Sequence, residues 1–111
     1  KIVDEEINKI KIRFQNVYGL PPKELRKLVD KGKKDLGDGI VVVFASLDEK
    51  VGVAVGVTEK LTSKYDAVKF VKVSSEIIGG TGGGGRKDFA QAGGQDQNKI
   101  KEAFEKIKSL I

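Results

Sequence analysis

Between residues 79 and 85, six of seven positions are glycine: Gly79, Gly80, Gly82, Gly83, Gly84 and Gly85, with Thr81 as the single interruption. Each glycine loses more backbone entropy on folding than another residue would. A fold that orders this run must therefore use φ > 0 conformations or an approach too close for a side chain. Consecutive N–H groups in such a turn can form a concave nest for an anion. The same composition also describes a flexible joint. Arg86 follows at once, and then the patterned stretch Lys87-Asp88-Phe89-Ala90-Gln91-Ala92-Gly93-Gly94-Gln95-Asp96, which is not low in complexity. The run does not end in Gly-Lys-Ser or Gly-Lys-Thr and no strand is expected before it, so it is not the phosphate loop of nucleotide hydrolases.

The flanking segments supply an α/β (α+β) framework. Ile10, Ile12 and Phe14 alternate with Lys11, Arg13 and Gln15, as in a half-buried strand with a basic outer face. Gly19-Leu20-Pro21-Pro22 stops that strand, and Pro22 suits the first turn of a helix whose apolar face is Leu25, Leu28, Val29 and Leu36. Gly37 is its natural stop. The β-branched run at residues 40–45 reads as a buried strand, Leu47-Asp48-Glu49-Lys50 as a hairpin turn, and Val51, Val53, Val55 and Val57 as the returning strand. Its other face, Gly52, Ala54 and Gly56, is nearly bare and predicts a helix packed tightly across it. Residues 66–78 fit both strand composition and a helical face of Ala67, Phe70, Val71, Ser74 and Ile78; we read a helix. Asp96 caps a closing helix with the stripe Ile100, Ala103, Phe104, Ile107 and Ile111. Residues 1–8 read as the end of an upstream linker helix, leaving 9–111 as the domain. The expected fold is thus a small sheet containing a central hairpin, flanked by about three helices, with a glycine-rich loop.

Composition narrows function. A chain of 111 residues accommodates one domain and no ATP-dependent catalytic domain beside it. It opens on Lys1 and lacks methionine, which suggests a piece of a larger parent. Lys and Arg outnumber Asp and Glu by 21 to 16, giving a net charge of +5 and favouring a polyanionic partner. The basic residues concentrate on the first helix: Lys23, Arg26, Lys27, Lys31, Lys33 and Lys34 stand against Glu24 and Asp30. Such a run also describes an ordinary solvated face. Histidine and cysteine are both absent, which removes imidazole bases, thiolate nucleophiles, disulfides and the usual zinc ligands. Asp88 and Asp96 alone are too few for a metal site. The apolar run at 40–45 is too short to cross a bilayer and no signal-peptide pattern opens the chain, so a cytoplasmic protein with no membrane partner is expected.

The segment Gly82-Gly83-Gly84-Gly85-Arg86-Lys87-Asp88-Phe89-Ala90-Gln91-Ala92-Gly93-Gly94 resembles the signature of the DHH-associated domain that closes alanyl-tRNA synthetases. Glu24-Leu25-Arg26-Lys27-Leu28-Val29-Asp30 is similar to the Leu-Arg, Val-Asp helix of that family, and the resemblance extends over the chain from about Ile10 onward. Lys87 departs from it, since proline is usual there. Arg86 stands where the related DHH phosphoesterases carry histidine, which favours the synthetase branch. The resemblance implies a domain that performs no chemistry, binds the elbow of tRNA(Ala), and helps aminoacylation and editing act on one tRNA. ATP, magnesium and zinc would serve the remaining domains of a parent alanine–tRNA ligase; no cofactor is implied for this domain. The implied contact residues are Gly79, Gly80, Gly82, Gly83, Gly84, Gly85, Arg86, Gln91, Gly93 and Gly94. The charge pattern adds Arg26, Lys27, Lys31 and Lys34. Two other readings stay open: an accessory phosphate- or nucleic-acid-binding domain of a DHH phosphodiesterase, and a module that forms homodimers through helical contacts.

Overall fold

The computed structural model describes residues 1–111, with the side chain of Pro22 outside the description. Strand β1 (Ile2–Ile7) opens the chain and pairs antiparallel with β2 (Ile10–Tyr18), from Ile2 opposite Gln15 to Ile7 opposite Ile10. The expected linker helix at residues 1–8 is therefore a strand of the domain's own sheet. The physical signal is the turn: Asn8 and Lys9 both have positive φ, at 51° and 67°. That is the backbone of a two-residue hairpin turn matched to strand twist. The Asn8 amide also donates to the Ile111 carbonyl at 2.6 Å, joining the two chain ends.

After a short 3-10 turn (Pro22–Glu24), helix α1 (Leu25–Leu36) crosses over to β3 (Ile40–Leu47), which lies parallel to β2. A helical crossover is what a parallel pair requires. Gly37 ends α1 with φ at 81° and donates to the Lys33 carbonyl at 3.0 Å. The hairpin to β4 (Lys50–Val57) turns through Asp48 at φ 58°, as the sequence predicts. Helix α2 (Ala67–Ile77) follows, capped by the Asp66 carboxylate, which accepts from the Val68 N–H at 2.9 Å. The helical reading of residues 66–78 thus prevails over their strand composition.

The glycine run is not a loop alone. Gly82–Gly85 form β5, and residues not assigned from sequence, Phe89–Gly94, form β6, which inserts between β4 and β5. Asp96 accepts from Asn98 N–H and opens a 3-10 turn (Gln97–Lys99) into α3 (Ile100–Ser109). Among the described residues, one six-stranded sheet results, ordered β1-β2-β3-β4-β6-β5.

Helices α2 and α3 cover one face. There Ile12, Phe14, Val42, Phe44, Val53, Val55, Phe70, Val71, Ala103 and Ile107 form the larger core. Helix α1 covers the other face with Leu25 and Val29 against Val41, Val43, Ala45, Ala54 and Phe89. Burial on both faces explains the unbroken apolar run of β3. At Gly56 the predicted close packing is present: a Cβ there would collide with the Val29 side chain. The apolar stripe of α3 is consumed by its own core, with Ile100, Ala103 and Ile107 buried.

Candidate nucleic-acid interface

Helix α1 lies over β3 and β4 and reaches β2, leaving the β6–β5 end of that sheet face uncovered. The register places Gly84 opposite Gln91 and Gly82 opposite Gly93, while Gln91 in turn faces Ala54 on the α1 side. Gly82, Gly84, Gln91 and Gly93 therefore share one sheet face, and of these four only Gln91 carries a side chain. Helix α2 backs the same strands from behind.

The glycines here have different reasons to be glycine. A Cβ on Gly83 would lie 2.6 Å from the Ala92 Cα, and one on Gly85 would lie 2.6 Å from the Ala90 Cα, so β5 can ride this closely on β6 only without side chains. Gly80 and Gly94 are similarly pressed, Gly80 by the Gly93 carbonyl and Ser75 and Gly94 by Ile78. Gly79 and Gly82 have φ of 79° and 107°, which side-chain-bearing residues rarely adopt. Gly84 has neither constraint, since nothing lies within 4 Å of its hypothetical Cβ. Gly93 meets only the Val51 carbonyl, at an ordinary 3.5 Å.

Ser75 pins the run, a role that sequence reasoning missed. Its buried hydroxyl donates to the Gly93 carbonyl at 2.7 Å and accepts from the Gly82 N–H at 3.0 Å. Gly79 and Gly80 donate to the carbonyls of Glu76 and Ser75. Three of the donors that an anion nest would need are thus engaged internally, and the flexible-joint reading gives way to a tethered edge strand. The turn at Lys87 is rigid without proline: the carbonyls of Lys87 and Asp88 accept from Ala67 and Val57 N–H groups, both at 2.9 Å.

Two arginines flank the bare face. Arg86 leaves the end of β5, its guanidinium 3.3 Å from Asp88 and 68 % exposed. Arg26 reaches across from α1 and sets its guanidinium over the Phe89 ring, 4.5 Å from the centroid. A cation–π contact of this kind holds a charge in place for about 0.5–1 kcal/mol at an exposed site. Arg26, Gly84, Gly85, Arg86, Phe89 and Gln91 together line a shallow depression of about 370 Å³. The Phe89 platform was in the sequence motif, but nothing in its spacing showed which cation it holds.

The other sequence candidates separate. Gly79, Gly80, Gly82, Gly93 and Gly94 gather with Lys50 and Gln95 around a second shallow depression. Lys27 pairs with Glu24 at 3.3 Å. Lys31 pairs with Asp35 at 3.4 Å, which also binds Arg13 at 2.7 Å, so Lys31 belongs to the β2 side of the domain. Lys34, near the far end of α1, lies about 12 Å along the helix from Arg26. Of the α1 cations proposed from sequence, Arg26 is the one that lines a depression with the glycine strands.

A mixed sheet with one helix on one face, two on the other and glycines along one end makes this a small α+β domain. The chain belongs to the DHHA1 domain family, whose model matches residues 7–111. It is 45% identical over 108 residues to an alanine–tRNA ligase of Parvibaculum lavamentivorans and 46% identical over 107 residues to that of Hyphomonas neptunium. Each alignment covers 96% of this chain and 12% of the ligase, so the chain spans about an eighth of these relatives. The crystal structure of the C-Ala domain from Aquifex aeolicus alanyl-tRNA synthetase superimposes with a TM-score of 0.91 at 26% identity, covering 97% of this chain and 96% of that one. A DHH-domain member of the s1p family of ribosomal proteins shares the fold, with a TM-score of 0.61 at 20% identity over 94% of this chain and 26% of its own. Family and relatives together mark a tRNA-synthetase accessory domain.

Proposed function

We propose that this domain docks tRNA(Ala), chiefly at the elbow, for an alanyl-tRNA synthetase in the cytoplasm, and performs no chemistry itself. The parent's remaining domains carry aminoacylation and editing, with their ATP, magnesium and zinc, and the docked tRNA serves both sites in turn. The observation that carries this reading is the bare β5–β6 face between Arg26 and Arg86. Exposed peptide groups can lie flat against bases or sugars, while the two guanidinium groups meet phosphates as planar forks. The net charge of +5 steers a polyanion toward the domain. Arg86 in the position of the phosphoesterase histidine, on a chain without any histidine, weighs against assistance to phosphodiester hydrolysis.

Titration of labelled folded tRNA(Ala) at several salt concentrations tests the proposal. Affinity should fall steeply with salt as phosphate counterions are released and recaptured. An unstructured RNA of equal length should bind more weakly. Equal binding of the two would refute recognition of the folded elbow.

A further inference from the structure

Both arginines that flank the glycine strands are tied to one residue of β6. The Phe89 ring lies under the Arg26 guanidinium, 4.5 Å from its centroid, and the Phe89 carbonyl accepts from the Arg86 N–H at 2.7 Å. Phe89 is in turn fixed by its surroundings. Its ring closes the margin of the α1-side core beside Leu25, Val29 and Ala54 and is 9% exposed. The two carbonyls before it, of Lys87 and Asp88, accept from Ala67 at the start of α2 and from Val57 of β4. Burial alone does not require an aromatic side chain at such a margin. What a ring adds is a face of negative potential, and here a cation lies over it.

The carboxylates beside the two arginines act differently. Arg26 meets Asp30 only at 3.9 Å and Arg86 meets Asp88 at 3.3 Å, with all four side chains well exposed, so neither pair holds its arginine strongly. A phosphate must displace these carboxylates, because both kinds of anion use the N–H fork. A guanidinium over a ring keeps that contact while its fork turns to a phosphate. From this geometry we infer that Phe89 is the positioning residue of the RNA surface. Its ring presets Arg26 for a phosphate of the bound RNA, and its carbonyl fixes where Arg86 leaves β5. The inference rests on the β5–β6 face being the tRNA surface and adds which residue prepares that face before RNA arrives. Ordering a long side chain in advance spares the binding step a cost of about two- to tenfold in affinity.

A double-mutant cycle on the whole chain tests this, with Arg26→Ala, Phe89→Leu and the two combined. The readout is anisotropy titration of labelled folded tRNA at a temperature well below every unfolding midpoint. Phe89→Leu should weaken binding about two- to tenfold, and should add nothing once Arg26 is alanine. In the free wild-type domain, NMR should find the Arg26 side-chain protons shifted upfield by the ring, and in Phe89→Leu returned to ordinary positions. A merely structural Phe89 would weaken binding equally in both Arg26 backgrounds. That result, wild-type affinity in Phe89→Leu, or Arg26 resonances that do not move would each overturn the inference. If leucine unfolds the domain, Phe89→Met, unbranched and equally without a π face, takes its place in the cycle with the same expected outcomes. The two failures are distinguishable. If Arg26→Ala itself leaves tRNA affinity unchanged, the β5–β6 face is not the tRNA surface and the inference falls with it. If Arg26→Ala weakens binding and Phe89→Leu does not, the surface stands and the role of Phe89 alone is refuted.

Discussion

Gly83 and Gly84 are neighbours in sequence and in strand, yet alanine should act on them in opposite directions. At Gly84 the backbone is ordinary and nothing lies within 4 Å of an added Cβ. Gly84→Ala therefore acts through the unfolded chain, restricting it and stabilising the domain by about 0.4–1 kcal/mol. For a chain of this length that is a rise in melting temperature of about 2–8 °C. At Gly83 the same methyl would sit 2.6 Å from the Ala92 Cα and nearer still to the Gln91 carbonyl. Backbone cannot yield as a side-chain tip can, so β5 must lift from β6 at an overpacking cost of about 1–3 kcal/mol.

Binding should follow a different rule. Valine at Gly84 suits an extended strand but raises a branched side chain from the middle of the platform, holding a flat ligand away from the peptide planes. A loss of about 1.4 kcal/mol, tenfold in affinity for tRNA, is expected from Gly84→Val without any loss of stability. Thermal unfolding by circular dichroism and anisotropy titration of labelled tRNA measure the two effects separately. Gly84→Ala destabilising the domain as much as Gly83→Ala would refute the steric account. Unchanged tRNA affinity in a folded Gly84→Val variant would refute the platform as the interface.

Arg26→Ala and Arg86→Ala should each reduce the slope of log affinity against log salt by about 0.7–0.9, one phosphate contact apiece, whereas Lys31→Ala, on the β2 side, should leave the slope unchanged. Ser75→Ala removes the hydroxyl shared by Gly82 and Gly93 and should cost about 1–3 kcal/mol, with hydrogen exchange at β5 amides accelerating more than at β3. The Arg13 guanidinium, hydrogen-bonded to Asp4 and Asp35, holds both carboxyls below their ordinary value of 3.8. A depressed folded pKa means the added stability is present above that value and lost as pH falls through the folded one. The melting temperature should accordingly drop more between about pH 4 and about pH 2 in the wild type than in Arg13→Met, and equal profiles would show that the bridge contributes nothing.

Much of the framework is legible because local and global preferences agree. The alternation from Ile10 to Phe14, the β-branched run of β3 and the glycine stop at Gly37 each act within a few residues, and each reads correctly; Asp96 does cap, but it caps the 3-10 turn that leads into α3, whose own N-cap position is Lys99. What fails is decided at a distance. Residues 1–8 contain no alternation strong enough to announce a strand, and they become one because β2 offers a free edge. Phe89–Gly94 is rich in alanine and glycine, poor strand formers, and is held as β6 by β4 on one side and β5 on the other. The site divides in the same way. The motif points to Arg86, Gln91 and the glycines, but Arg26 joins them only through tertiary packing on Phe89. Lys31 is indistinguishable from Arg26 in a helical charge pattern until Asp35 and Arg13 are seen beside it.

The bare face itself follows from an imbalance in the layers. Three helices cannot cover both faces of a six-stranded sheet, and with α2 and α3 on one side, α1 alone must leave part of the other exposed. The ordinary solution for an exposed sheet face is polar side chains alternating with buried ones. Gln91 follows that rule. Gly84 and Gly93 do not, although a Cβ at either position meets nothing closer than 3.5 Å and threonine would strengthen a strand. Glycine in place of a side-chain-bearing residue costs about 0.5–1 kcal/mol at each position, and no contact within the domain offsets it. Gly83, Gly85 and Ser75 explain how β5 is held, but not why its open face is empty. The proposed docking of tRNA would supply the missing reason, an outside surface that must come within van der Waals reach of the peptide planes and whose negative charge Arg26 and Arg86 at the border would complement.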